Sequence, residues 1–181
     1  NLQSIPYIDL TIELMNAFDV EVRNKNYREF FIRAGQKYSP CSYTVEGDWS
    51  GAAFMLVAGA ISGKVEVDGL FAASNQADRA IIDALLYSGA LVSIRDRSIE
   101  VKHKNLNNFD FDATNSPDLF PPLVALAANC KGITKILGVG RLKDKESDRA
   151  ATLIEEFTKL GTDIRVDGDL MIINGGFPKG G

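Results

Sequence analysis

Three stretches of the 181-residue chain share one order of apolar and polar positions, about seventy residues apart. Each stretch begins with an amphipathic segment of helical period and continues with alternating or β-branched residues, which are typical of two short strands. The predicted helices end at Asp19, Gly89 and Gly161, where a helix C-terminus favours a residue that tolerates positive φ. The chain is then predicted to turn at residues 24–26, 95–98 and 167–169. A helix followed by a β-hairpin is therefore predicted three times.

The repeat extends upstream in its second and third copies. Asp48 and Asp118 each precede a segment that is apolar on nearly all sides, which is typical of a buried helix. The predicted buried helices span residues 49–61 and 119–130, and short strands follow at residues 64–67 and 134–137. An amphipathic second helix comes next in each copy. The predicted fold class is therefore α/β (α+β), built from repeated β-α-β-α-β-β units, with two full units and half of a third.

This repeat divides the chain into parts. Residues 1–43 supply only the closing half-unit of one domain, a helix plus a hairpin, and residues 44–174 supply two units of the other domain. Residues 175–181 are predicted to be a flexible tail. A unit of this kind cannot bury its inner helix without neighbours, so we expect the chain to be a fragment of a larger protein. Exposed core faces are also expected to promote self-association.

Composition excludes several classes of function. The chain has 20 basic and 24 acidic residues, so no strong net field attracts nucleic acid or an anionic membrane, and neither is expected as a partner. Two distant cysteines and one histidine are too few for a structural zinc site, and they fit a reducing, cytoplasmic setting. The glycines form no phosphate-binding loop, so no nucleotide cofactor is expected. The longest apolar run is too short to cross a bilayer.

The densest charge cluster lies at residues 143–149, at a predicted junction between a loop and a helix. The candidate residues in it are Lys145, Glu146 and Arg149. At a helix start these three would share one face, and together with Arg141 they could hold a phosphorylated, carboxylated substrate. The alternative is a solvated helix start that is capped by Ser147 or Asp148. The residue pattern alone favours this alternative and leaves both open.

Polar residues at the other predicted helix starts have a similar alternative. Asp48 and Asp118 both suit N-caps, which are worth about 0.5 to 2 kcal/mol, although an aspartate at the mouth of a cleft could also move protons. Nothing local selects Asp118 over Asp48. Ser4, Tyr7 and Asp9 precede the first predicted helix, where a cap and an interfacial tyrosine are the simpler interpretation.

Four short segments, in their order and separations, resemble the 5-enolpyruvylshikimate-3-phosphate synthase family. They are S-I-P-Y-I-D at residues 4–9, V-E-G-D at 45–48, P-D at 117–118 and K-E-S-D-R at 145–149, the last being the most specific. The resemblance runs over nearly the whole chain but covers well under half of a typical member. Family members fold as two domains of three β-α-β-α-β-β units each, in agreement with the repeat described above.

The resemblance implies transfer of the carboxyvinyl group of phosphoenolpyruvate to the 5-hydroxyl of shikimate 3-phosphate, with release of phosphate. This step belongs to the pathway to chorismate and the aromatic amino acids, and it implies no metal or organic cofactor. Carried over by motif, Asp118 is a candidate base beside the shikimate ring, and Glu146 is a second candidate for proton transfer. Lys145 is implied at the shikimate phosphate side and the reacting hydroxyl, and Arg149 at phosphoenolpyruvate.

Further residues are implied to bind substrate, and some depart from the family pattern. Ser4 and Tyr7 resemble residues that hold shikimate 3-phosphate from the other domain. Arg141 stands where many members have an asparagine that touches the shikimate phosphate, and Trp49 stands where a small residue is usual. The chain lacks the family's Lys-Ser-x-x-x-Arg, Ser-Ser-Gln and Asp-His-Arg segments. Since one lost electrostatic donor can cost about two to three orders of magnitude in rate, we expect the chain alone to be inactive.

Two alternatives to this function stay open. One is the related enolpyruvyl transferase that acts on UDP-N-acetylglucosamine, which shares the fold and the chemistry but lacks support from the K-E-S-D-R segment. The other is a non-catalytic repeat scaffold, in which the charged helix start is only a solvated face. Titration of the intact parent protein with shikimate 3-phosphate and with UDP-N-acetylglucosamine, followed by measurement of phosphate release, distinguishes the three possibilities.

Overall fold

The computed structural model describes residues 2, 4–142, 148–176 and 178–179 of the chain. These residues form five α-helices, three short 3-10 helices and nine strands, which are arranged in three separate sheets. The α-helices are followed by strands or hairpins along the described chain, in the mixed α and β class predicted from the sequence. Among the described helices, none is both long and apolar enough to span a membrane.

The half-unit at the start of the chain consists of α1 (Ile5–Ala17) and an antiparallel hairpin of β1 (Val22–Lys25) and β2 (Glu29–Ile32). Asp19 ends the helical turn with a φ of 64°, as its position in the repeat predicts. The hairpin turn lies slightly later than predicted, because Asn26 and Tyr27 adopt the positive φ values. None of the residues of α1 is buried, so this half-unit contributes little to the core.

The first full unit contains α2 (Trp49–Ser62), β3 (Lys64–Asp68), α3 (Ile81–Tyr87), β4 (Leu91–Ile94) and β5 (Ser98–Lys102). Its strands form an antiparallel sheet in the order β3-β5-β4. The opening strand predicted for this unit is not formed, since residues 44–48 have no strand structure. This segment approaches the loop after β3 instead, where the Gly47 N–H donates to the Gly69 carbonyl at 2.8 Å.

The second full unit has all six predicted elements. They are β6 (Asp110–Asp112), α4 (Phe120–Ala128), β7 (Gly132–Leu137), α5 (Arg149–Lys159), β8 (Asp163–Asp167) and β9 (Leu170–Gly175). The sheet order is β6-β7-β9-β8, in which β6 runs parallel to β7 and the other pairs are antiparallel. Gly89 and Gly161 follow the second helix of their units with φ values of 86° and 81°, as predicted.

Helices α2 and α4 pack against each other and form the centre of one core shared by the two full units. Both helices are buried on most sides, as their apolar sequences predict. The largest fully buried side chains include Trp49, Leu56, Ile81, Leu85, Ile99, Phe120, Leu123 and Leu126. The two units therefore support each other, whereas the half-unit lies at the periphery of this core.

The three-stranded sheet carries a nearly buried carboxylate between two lysines. Glu100 accepts from the Lys64 ammonium at 2.5 Å and from the Lys102 ammonium at 2.9 Å. These hydrogen bonds, that of Lys64 first, lower the pKa of Glu100 to about 2. Because the folded-state pKa lies below the unfolded one, the charged carboxylate stabilises the fold above about pH 4.5, and this contribution is lost as the pH falls towards 2.

We therefore expect Glu100→Gln to lower the thermal midpoint at pH 7 and to have a much smaller effect at pH 2, where about half of the native carboxyl groups are protonated and most of the stabilisation by the charged form is lost. Melts followed by circular dichroism at pH 7, 4 and 2 measure this convergence. Glu29→Gln is the matched control, because the Glu29 pair with Lys25 is well exposed and contributes little at any pH. A constant difference between native and Glu100→Gln proteins across the three pH values contradicts the prediction.

Candidate functional site

The N-terminal end of α1 lies against the second full unit. The Ser4 hydroxyl accepts a hydrogen bond from the Arg141 guanidinium at 2.9 Å, although the two residues are 137 positions apart in sequence. Ser4 has a φ of 58°, and its side chain makes no capping bond to the described N–H groups of α1, so the predicted cap is wrong. Tyr7 and Asp9 lie inside α1, not before it.

Arg141 belongs to the 3-10 helix Val139–Leu142, which follows β7. The backbone of this turn is bound to Asp169 in the hairpin between β8 and β9. The Gly140 N–H donates to the Asp169 carboxylate at 2.7 Å, and the Gly138 N–H donates to the Asp169 carbonyl at 2.9 Å. Gly138 has a φ of 106°, a conformation that side-chain-bearing residues rarely adopt. Backbone hydrogen bonds therefore hold the turn from which Arg141 reaches Ser4.

Asp118 and Arg149 form an ion pair in the second unit. Asp118 lies in the 3-10 helix Pro117–Leu119, and its carboxylate accepts from the Arg149 guanidinium at 2.7 Å. The predicted N-cap role of Asp118 is wrong, because Asp118 lies inside the 3-10 helix, whose N-cap is Ser116, and its carboxylate binds an arginine. The predicted cap at Asp148 is confirmed, since its carboxylate accepts from the Ala151 N–H at 3.0 Å.

Asp48 and Asp118 occupy equivalent positions in the two full units but bind different partners. The Asp48 carboxylate accepts two backbone N–H bonds from the first turn of α2, as a cap does. Arg79, the counterpart of Arg149 in the repeat, donates to the Ala72 carbonyl at 2.5 Å. Asp118 and Arg149 instead pair with each other, with side chains 36% and 33% exposed. The structure thus separates two positions that the sequence pattern left equivalent.

Tyr7 lies among the acidic residues of both units. Partial burial raises its pKa to about 12, and the negative charges of Asp78, Asp118 and Asp48 add to the increase. The phenol therefore keeps its proton at physiological pH and is a hydrogen-bond donor. Asp78 is only 1% exposed and accepts from the Ser50 hydroxyl. Asp78 was not among the candidates from the sequence. The sequence does offer a signal for it, because residues 77–80 (A-D-R-A) are similar to residues 147–150 (S-D-R-A), which overlap the charge cluster.

The structure thus brings together five predicted site residues at the junction of α1 with the second unit. They are Ser4, Tyr7, Asp118, Arg141 and Arg149. Two guanidinium groups, a phenol and a hydroxyl suit phosphate and carboxylate oxygens, and the aspartate can accept a proton. Lys145 and Glu146 lie outside the described residues. Within the described part of the chain, no group of three His, Cys, Asp or Glu residues is placed to hold a metal ion.

Comparisons with known proteins give one consistent result. The model of the family "EPSP synthase (3-phosphoshikimate 1-carboxyvinyltransferase)" matches residues 1–180. A 3-phosphoshikimate 1-carboxyvinyltransferase of Clostridium perfringens is 42% identical over 175 residues, which are 96% of this chain and 41% of that protein. One from Aeropyrum pernix is 40% identical over 181 residues, covering 99% of this chain and 42% of that protein.

Solved structures agree with this match. An EPSP synthase from Acinetobacter baumannii superposes with a TM-score of 0.76 at 25% identity, covering 90% of this chain and 39% of that one. The enolpyruvyl transferase NikO from Streptomyces tendae has a TM-score of 0.70 at 18% identity, which shows a shared fold. The chain therefore spans about two fifths of the length of the proteins that it matches.

Proposed function

Because this chain belongs to the EPSP synthase (3-phosphoshikimate 1-carboxyvinyltransferase) family, we propose that it supplies part of the site at which shikimate 3-phosphate receives the carboxyvinyl group of phosphoenolpyruvate. The observation that carries the proposal is the convergence of two pairs, Ser4 with Arg141 and Asp118 with Arg149, around Tyr7. These residues come from distant parts of the sequence and include both cations and a carboxylate, as transfer between two anionic substrates requires.

Shikimate 3-phosphate is bound, in this proposal, by Ser4, Tyr7, Arg141 and Lys145. The phenol of Tyr7 donates a hydrogen bond to an anionic oxygen without ionising, because its pKa is raised to about 12. The Arg141 guanidinium donates to Ser4, and a guanidinium can bind a phosphate through two of its five N–H donors. The arginine thus replaces the amide donor of the usual asparagine with a charged one.

Proton transfer and binding of phosphoenolpyruvate belong to the other residues. Asp118 accepts the proton of the attacking 5-hydroxyl, and Glu146 is the second group for proton transfer. Arg149 has five N–H donors, so it can bind the phosphoenolpyruvate anion while it holds the Asp118 carboxylate. Lys145 stabilises the charge at the reacting hydroxyl. Asp118 and Arg149 both lie on the second unit, whereas Tyr7 lies in α1 and Ser4 directly precedes that helix.

We also propose that residues 1–43 and 44–174 belong to two domains, with the substrates between them.

The half-unit exposes Phe30, Phe31 and Ile32 on its hairpin, with Phe31 62% exposed. Such an apolar surface favours self-association of the isolated chain. Analytical ultracentrifugation at increasing concentration measures this association, and a monomer at all concentrations contradicts it.

The function is tested with a chimera in which this chain replaces the matching region of the Clostridium perfringens relative. We expect the chimera to release phosphate only when both shikimate 3-phosphate and phosphoenolpyruvate are present, and the isolated chain to release none. Substituting UDP-N-acetylglucosamine for shikimate 3-phosphate tests the related transferase reaction. A chimera that folds, as judged by a cooperative melt, but releases no phosphate with either acceptor contradicts the proposal and favours a scaffold.

A further inference from the structure

Gln76 connects two loops beside the site without belonging to the predicted site. It precedes the 3-10 helix Ala77–Ala80, and its side chain makes two hydrogen bonds to the backbone on either side of Asp48. The Trp49 N–H donates to the Gln76 amide oxygen at 3.0 Å, and the Gln76 amide nitrogen donates to the Gly47 carbonyl at 3.0 Å. These two bonds, called the Gln76 bridge below, attach both peptide neighbours of Asp48.

Ser74 makes two further hydrogen bonds that connect Gln76 to the segment before Asp48. Its hydroxyl accepts from the Gln76 N–H at 3.0 Å and donates to the Glu46 carboxylate at 2.9 Å. The segment also lies close to the loop after β3, since a Cβ atom at Gly47 would lie 3.0 Å from the Gly69 carbonyl oxygen. Residues 46–49 are therefore held from two directions.

The segment held in this way lies beside α1, because Gln76 lines the same cavity as Pro6 and Asp9 of that helix. The negative charges of Asp48 and Asp78 raise the pKa of Tyr7 in the same helix. The Asp48 carboxylate accepts from the Ser50 and Gly51 N–H groups at 3.1 and 2.9 Å. The Ser50 hydroxyl in turn donates to Asp78, which is two residues after Gln76. Gln76 thus connects the start of α2, which carries Asp48 and Ser50, to the 3-10 helix that carries Asp78. The glutamine itself acts only on backbone groups.

We propose that Gln76 is a positioning residue, whose bridge to Gly47 and Trp49 holds Asp48 and the Ser50–Asp78 pair in place around Tyr7. The inference rests on the proposed function, because Tyr7 is assigned there to shikimate 3-phosphate. If the bridge is lost, the start of α2 moves relative to the 3-10 turn, and the acidic groups no longer surround the phenol in a fixed geometry. Binding of shikimate 3-phosphate is then weakened more than the chemical step.

The test uses Gln76→Met, which keeps the length of the side chain and removes both hydrogen bonds. In the 181-residue chain, we expect amide hydrogen exchange at Ser50 and Gly51 to become roughly tenfold faster, although neither amide bonds to Gln76. In the chimera, we expect the KM for shikimate 3-phosphate to rise roughly tenfold while kcat changes less than about twofold. Ser74→Ala should shift both quantities in the same direction by a smaller factor.

Asn129→Leu is the matched control. The Asn129 side-chain amide donates to the Ala125 carbonyl at the C-terminal end of α4, so this change removes a partly buried hydrogen bond of the same kind away from Gln76. It should lower the thermal midpoint without changing the KM for shikimate 3-phosphate or exchange at Ser50 and Gly51. Unchanged exchange in Gln76→Met overturns the proposal, as does a KM shift that Asn129→Leu reproduces. If every form of the chimera is inactive, the proposed function fails. Amide hydrogen exchange in the 181-residue chain then still shows whether the Gln76 bridge holds residues 46–49 in place.

Discussion

Asp118→Asn is expected to lower phosphate release by the chimera by about a hundred- to ten-thousand-fold, which is the range for loss of a positioned general base. Asparagine has nearly the same shape as aspartate, so the 3-10 helix Pro117–Leu119 should keep its geometry. The amide cannot accept the hydroxyl proton, and it removes the negative charge that the Arg149 guanidinium binds at 2.7 Å. Steady-state rates at saturating concentrations of both substrates measure the effect.

Asp112→Asn is the control for this change. Asp112 lies in the neighbouring strand β6, and its carboxylate accepts from the Thr114 N–H at 2.9 Å, a bond that an asparagine oxygen can also accept. We expect this variant to retain the rate of the parent chimera within about threefold, because Asp112 has no assigned role in the reaction. A chimera with Asp118→Asn that is as active as the one with Asp112→Asn removes Asp118 from the proposed mechanism.

Trp49→Ala is expected to destabilise the chain by about 3 to 5 kcal/mol, the usual cost of truncating a large buried aromatic residue. Trp49 is fully buried at the start of α2, within the core that α2 shares with α4. Its removal leaves a cavity in this core. Urea unfolding followed by far-ultraviolet circular dichroism measures the change, since the chain has only one tryptophan and fluorescence is lost with it.

Trp49→Phe should destabilise the chain much less than Trp49→Ala, with a free energy of unfolding within about 1 kcal/mol of the native value. The indole N–H of Trp49 is buried without a hydrogen-bond acceptor among the described residues. A buried unsatisfied donor costs about 1 to 3 kcal/mol, so removing it offsets part of the packing lost with the smaller ring. Phe31→Ala on the exposed hairpin is the control, with an expected change below about 0.5 kcal/mol. Equal destabilisation by Trp49→Phe and Trp49→Ala contradicts this explanation.

Helix ends were predicted well because they depend on local conformation. Asp19, Gly89 and Gly161 all adopt positive φ after their helices, as the repeat indicated. Steric preference for the left-handed region acts within a single residue, so the residue type carries the information. The burial of α2 and α4 was predicted for a similar reason, since an apolar surface on all sides of a helix leaves no face for water.

Capping was harder to predict, because the same side chains serve local and distant partners. Asp48 and Asp118 occupy equivalent places in the repeat, yet one binds backbone N–H groups and the other binds Arg149. Ser4 likewise leaves its helix uncapped and bonds to Arg141. A carboxylate or hydroxyl accepts either kind of donor, and the donor that it meets depends on how the units pack.

The sequence by itself determined the repeated units, the two buried helices and, through its motifs, the family. These properties follow from the period of apolar residues and from short segments that are contiguous along the chain. Only the tertiary structure decided that Ser4 meets Arg141, that Asp118 pairs with Arg149, and that the buried Asp78 lies near Tyr7. The physical reason is that these arrangements depend on how elements distant in sequence pack, within the second unit for Asp118 and Arg149 and between α1 and the two units for the others. No local pattern of residues encodes such packing.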